Sequence, residues 1–64
     1  MKDKTAKLTF VQKSIEGFKE LGEYNRKQEK DWADKGEKQL AFTCHMIAQA
    51  YEFVVKILEE DLSD

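Results

Sequence analysis

The stretch LAFTCHMIAQAYEFVVKIL, residues 40–58, is apolar at fourteen of its nineteen positions, in a chain of only 64 residues. A helix built from it is greasy around most of its circumference, and such helices are normally buried on several sides. A chain this short has little material to bury them with. At this size only about 60% of the unfolded surface is removed from water. Scaffolds so small therefore rely on disulfides, a metal, oligomerisation or very regular helix packing. Cys44 is the single cysteine and His45 the single histidine. An internal disulfide is thus excluded and metal ligands are few. Regular packing and self-association remain.

Proline is absent and glycine occurs three times, which favours an all-α protein. With 41% hydrophobic and 38% charged residues, the chain is too apolar for a solvated disordered tail. Eleven basic against thirteen acidic side chains give a net charge of −2. No whole-chain attraction to nucleic acid or to an anionic membrane follows. The opening MKDKTAKLTF lacks the apolar run of a secretory leader. Glu52 and Lys56 interrupt the best candidate for the ~20 residues of a membrane span. The expectation is a cytoplasmic protein that does not enter a membrane, its lone thiol suiting a reducing compartment.

Two helices are expected within one domain covering residues 1–64. In the first half, Leu8, Val11, Ile15, Phe18 and Leu21 recur at spacings of three and four, a helical stripe. Thr9 and Gln12 have the form of a capping box, which starts helix 1 near residue 9, with earlier starts at Asp3 or Thr5 as alternatives. Gly22 is a candidate stop. However, Glu23 with Lys27, Lys27 with Asp31 and Lys30 with Asp34 form pairs four apart that favour continuation, so helix 1 runs to about residue 34. Gly36 supplies the turn. Helix 2 runs over about residues 37–62. Leu40, Cys44, Ile47, Tyr51, Val54 and Leu58 alternate in steps of four and three as an a/d seam, which Ala41, Ala48, Val55 and Leu62 widen on one side.

Two helices joined by so short a turn form an antiparallel hairpin. With the turn at Gly36, residues whose numbers sum to roughly 72 face each other, since both helices rise equally per residue. Phe10 then meets Leu62, Ile15 meets Ile57 and Leu58, Phe18 meets Val54, and Leu21 meets Tyr51. Lys2, Lys4 and Lys7 come beside Glu59, Glu60, Asp61 and Asp64. Towards the turn the match fails, because Asn25 and Gln28 face Ile47 and Cys44.

Helix 2 carries a second stripe, Phe42, Met46, Ala50, Phe53 and Ile57, on the far side of its seam. One facing helix cannot cover both stripes, and an exposed stripe of this kind marks an interaction surface. The expected solution is a homodimer or higher homo-oligomer, in which two hairpins pack through helix 2 into a four-helix bundle with helix 1 outside. The alternative occupant is an amphipathic helix of another protein.

Residues suited to chemistry are scarce. Cys44 and His45 are neighbours, so their side chains point about 100° apart on a helix and do not make a nucleophile–base pair. Cys44 reads as a small apolar seam residue and His45 as solvated on the polar face. Glu16, Glu20 and Glu23 form a carboxylate row without the Glu-x-x-His pattern of dimetal bundles. No phosphate loop, zinc spacing or triad pattern is present. The segment RKQEKDWADKGEK holds Arg26, Lys27, Lys30 and Trp32, a candidate basic-aromatic patch for a nucleic-acid strand. Its interleaved Glu29, Asp31, Asp34 and Glu37 oppose that field. Trp32 reads rather as a cap of the hairpin core near the turn or, if exposed, as a protein-binding anchor.

These features together point to a small non-catalytic interaction protein, a regulator, inhibitor, adaptor or chaperone-like molecule, with no cofactor and no catalytic residues. Its expected assembly interface is Phe42, Met46, Ala50, Phe53 and Ile57, and its candidate partner-binding residues are Arg26, Lys30 and Trp32. A nucleic-acid accessory module and a metal-binding helical bundle are the alternatives.

Overall fold

A computed structural model describes residues 2–63, with side chains for residues 6–63. Helix α1 spans Lys2–Asp34 and helix α2 spans Lys38–Ser63. The two pack along their length as a hairpin, and there is no strand among the described residues. α1 begins at Lys2 rather than near Thr9. Lys, Ala and Leu are good helix formers, so KDKTAKL joins the helix and Thr9 with Gln12 lies inside it. Gly22 does not stop α1 either.

The turn is built as the glycine predicts. Gly36 has a φ of 80°, a left-handed conformation that costs a residue with a Cβ. Glu37 N–H donates to the Trp32 carbonyl at 2.9 Å and Gly36 N–H to the Ala33 carbonyl at 3.0 Å. This pair of bonds is the Schellman arrangement, which satisfies carbonyls left over at the end of α1. The Glu37 carbonyl then accepts from Ala41 N–H at 3.0 Å, and α2 is under way.

The seam of α1 is Val11, Ile15, Phe18, Gly22, Asn25, Glu29 and Trp32, all buried or half-buried and alternating in steps of four and three. That of α2 is Ala41, Cys44, Ala48, Tyr51, Val55, Leu58 and Leu62. The expected seam is therefore corrected by a rotation of α2. Cys44, Tyr51 and Leu58 stay inside, Ala41, Ala48 and Val55 are inward in place of Leu40 and Ile47, and Val54 is half-buried at the edge. Leu40 and Ile47 remain about two-fifths exposed. The cause is local. Gly22 is buried, and a Cβ built on it would lie 3.6 Å from Tyr51 Cβ and 4.0 Å from the Ala48 carbonyl. Two small residues thus let the helices approach, and the bulkier side of α2 turns outward.

Pairing follows the expected register with small changes. Val11, Ile15 and Val55 form the core, with Phe18, Leu58 and Leu62 packed against it. Phe18 stacks on Tyr51 at 5.8 Å between ring centroids rather than on Val54, and Phe10 stands 71% exposed instead of lying under Leu62. Of the expected end-to-end charge pairs, the side chains of Lys2, Lys4 and Asp64 lie outside the described residues. Lys19 Nζ reaches Glu59 Oε2 at 3.3 Å.

The hairpin is a rod of 53 × 15 × 12 Å with a radius of gyration of 15.0 Å, against about 11 Å for a compact domain of this length. Only Val11, Ile15, Ala48 and Val55 are buried apolar residues, and no large side chain is fully enclosed among those described. Gly22→Ala tests the close approach. The added methyl makes only ordinary contacts and removes a helix-interior glycine, so a gain of up to about 1 kcal/mol is expected by urea denaturation. A loss would show the helices closer than described.

Candidate functional surface

At about 100° per residue, the side of α2 turned away from α1 carries Phe42, Met46, Ala50, Phe53 and Ile57. All five are exposed, with Phe42 and Phe53 at 64% and Met46 and Ile57 at 49%. Leu40 and Ile47 continue this surface around one flank of the helix, with Val54 half-buried beside them. Leu21 and Phe10 extend it onto α1 on the same side, exposed at 43% and 71%. The apolar surface is therefore larger than the expected stripe, because the rotation of α2 adds a flank to it. Burying a Phe, Met or Ile side chain contributes ~1.5–3 kcal/mol, so the uncovered row represents a large unrealised stabilisation for a small fold.

The opposite flank of the hairpin is polar and organised by Arg26. Its Nε donates to Glu52 Oε2 at 2.9 Å and its Nη2 to Glu52 Oε1 at 2.8 Å, a two-pronged pair between the helices. Its Nη1 donates to Glu29 Oε1 at 2.9 Å and lies 2.9 Å from His45 Nδ1. His45 Nδ1 is also 3.1 Å from Glu29 Oε2. That nitrogen accepts from Arg26 when unprotonated and donates to Glu29 when protonated, and does only one at a time. His45 is thus half-buried in a cross-helix network, which corrects its expected place as a solvated residue. It faces α1 because the same rotation of α2 brings it round. Sequence pattern missed this network, although Arg26 and His45 sum to within one of the register.

Hydrogen bonds with Glu52 and then Glu29 hold the Arg26 guanidinium above its ordinary value. The bond from Arg26 holds the Glu52 carboxyl below the ordinary carboxylate range. A carboxyl depressed in the folded state contributes stability that is present above its unfolded value and lost as pH falls through the folded one. Acid should therefore weaken the hairpin below pH ~4, and Glu52→Gln should flatten that limb of a pH–Tm profile. Both groups are partly exposed, so the effect is small; an unchanged limb would show that the pair contributes nothing.

Of the three candidate partner-binding residues, Arg26 is committed to this network, Lys30 is exposed and Trp32 is half-buried. Lys35 Nζ sits 5.0 Å from the Trp32 ring centroid. Trp32 points roughly 120° away from Arg26 and roughly 160° away from Lys30 around α1, so it does not share a face with that pair. Cys44 is half-buried as a seam residue. Glu16, Glu20 and Glu23 are exposed. Among the described residues no group of three or more His, Cys, Asp or Glu side chains converges as a metal site, and no helix is long and apolar enough to cross a membrane.

No protein-family model, curated protein or solved structure matches this chain.

Proposed function

We propose that this chain is a non-catalytic protein–protein interaction protein that self-associates through the outward face of α2. Two hairpins joined there make a four-helix assembly with the α2 helices central and the α1 helices outside. The exposed row of Phe42, Met46, Ala50, Phe53 and Ile57 carries this reading. So much contiguous apolar surface is uncommon on a solitary soluble chain, and covering it is the dominant favourable term available. A regulator, inhibitor, adaptor or chaperone-like molecule in the cytoplasm suits such a device, the free thiol Cys44 supporting a reducing compartment.

Nothing in the geometry favours nucleic-acid binding, because the N–H groups of Arg26 are spent on carboxylates and Trp32 lies on another side. Sedimentation or light scattering over a range of concentrations tests the proposal. A mass above the 7.5 kDa of one chain is expected; a folded 7.5 kDa species at high micromolar concentration defeats self-association. A heterologous partner on the same row would then be the surviving interaction.

A further inference from the structure

We infer that the second copy packs antiparallel, α2 against α2, with a two-fold axis passing beside Ala50. This inference rests on the self-association proposed above and specifies its geometry.

The row itself suggests it. Phe42, Met46, Ala50, Phe53 and Ile57 step by four, four, three and four, so size reads large, large, small, large, large in either chain direction. A two-fold axis at the centre sets Ala50 beside its own copy, where the short side chain lets the helices come close. It sets Met46 beside Phe53 and Phe42 beside Ile57, each twice by symmetry. Every large side chain is then covered by a different large side chain at the same height, the self-complementarity an isologous contact requires.

Charge selects this direction over the parallel one. The N-terminal turn of α2 carries Lys38 and its C-terminal turns carry Glu59, Glu60 and Asp61. Lys38 and Glu60 lie on the same flank of the apolar row at about 100° per residue. In the antiparallel pair Lys38 of each copy meets Glu60 of the other. In a parallel pair the acidic ends would face each other, and the helix dipoles would be aligned rather than opposed.

Thiol cross-linking reads the geometry directly, in a Cys44→Ser background that removes the native thiol. Ala50→Cys places two sulfurs beside the axis and is expected to yield a disulfide-linked dimer under mild oxidation. Lys38→Cys is expected to give none with itself, since its copies are separated by about twenty-four residues of helix rise, roughly 36 Å, far beyond disulfide reach. Mixing Lys38→Cys with Glu60→Cys chains should restore cross-linking between the two. Self-linking at position 38, where only a parallel pair sets the two copies side by side, would overturn the antiparallel inference whatever position 50 does, while self-association stood. A dimeric mass without linkage at position 50 would overturn the axis assignment in the same way. A monomeric mass in every variant and in the unaltered chain would remove self-association itself.

Discussion

Phe53→Glu is expected to reduce the protein to single chains. Phe53 is 64% exposed on the hairpin and takes no part in the core of Val11, Ile15 and Val55. Its loss therefore removes nothing from the intrachain seam. In the assembly each copy forfeits ~1.5–3 kcal/mol of apolar burial. Both copies change together, and an unpaired carboxylate beside Met46 adds a desolvation penalty. At 1.4 kcal/mol per decade, the dissociation constant should rise by roughly 10²–10⁴-fold or more. Analytical ultracentrifugation measures the mass and circular dichroism follows the helices. Thr9→Glu, exposed on the side of α1 turned away from α2, is the control and should leave the mass unchanged. Helix loss along with mass would mean that the hairpin depends on its partner for folding, as obligate dimers do. A folded Phe53→Glu variant at the unaltered mass would show that this face is not an assembly surface.

Ala48→Leu should destabilise the hairpin from within. Ala48 is fully buried at 0% exposure, and its carbonyl lies 4.0 Å from the position a Gly22 Cβ would take. Three further carbons have no space unless the helices separate. Overpacking of this kind costs ~1–3 kcal/mol, out of a stability of ~3–10 kcal/mol for a chain of this length. A fall of roughly 5–20 °C in Tm follows, read by thermal circular dichroism. Ala6→Leu, exposed on the side of α1 turned away from α2, makes the contrast: it adds the same three carbons without touching the seam or the outer row of α2. An unchanged Tm for Ala48→Leu would mean that α2 presents its bulkier side to α1 after all.

The expected fold was legible because its signals are local. Gly36, the absence of proline and two long amphipathic stretches define two helices and a turn, and equal helix rise fixes the facing residues. The charged segment after Gly22 continues α1 as its i, i+4 pairs predict. The start of α1 was less legible, since Thr9 with Gln12 resembles a cap wherever it occurs. A capping box is a signal only where the helix has an end to satisfy. The outer row of α2 was found from spacing and stands exposed as its excess over a single seam implied. In sequence Arg26 is a candidate member of a basic-aromatic patch with Trp32, set against interleaved acids; of its partners Glu29 is local, while Glu52 and His45 are distant in sequence and reach it only across the hairpin.

The sequence by itself determined that α2 has more apolar surface than one neighbour can take, because that follows from composition and a period of 3.6 residues. Its spacing gave α2 one seam, Leu40, Cys44, Ile47, Tyr51, Val54 and Leu58, with Ala41, Ala48, Val55 and Leu62 widening one side. Periodicity cannot separate positions only about 100° apart on the same helix. The choice belongs to tertiary packing: α2 turns Ala48, at 0% exposure, to α1, where the Ala48 backbone passes close to Gly22. That contact turns His45 and Glu52 towards Arg26 and leaves the larger apolar residues facing outward.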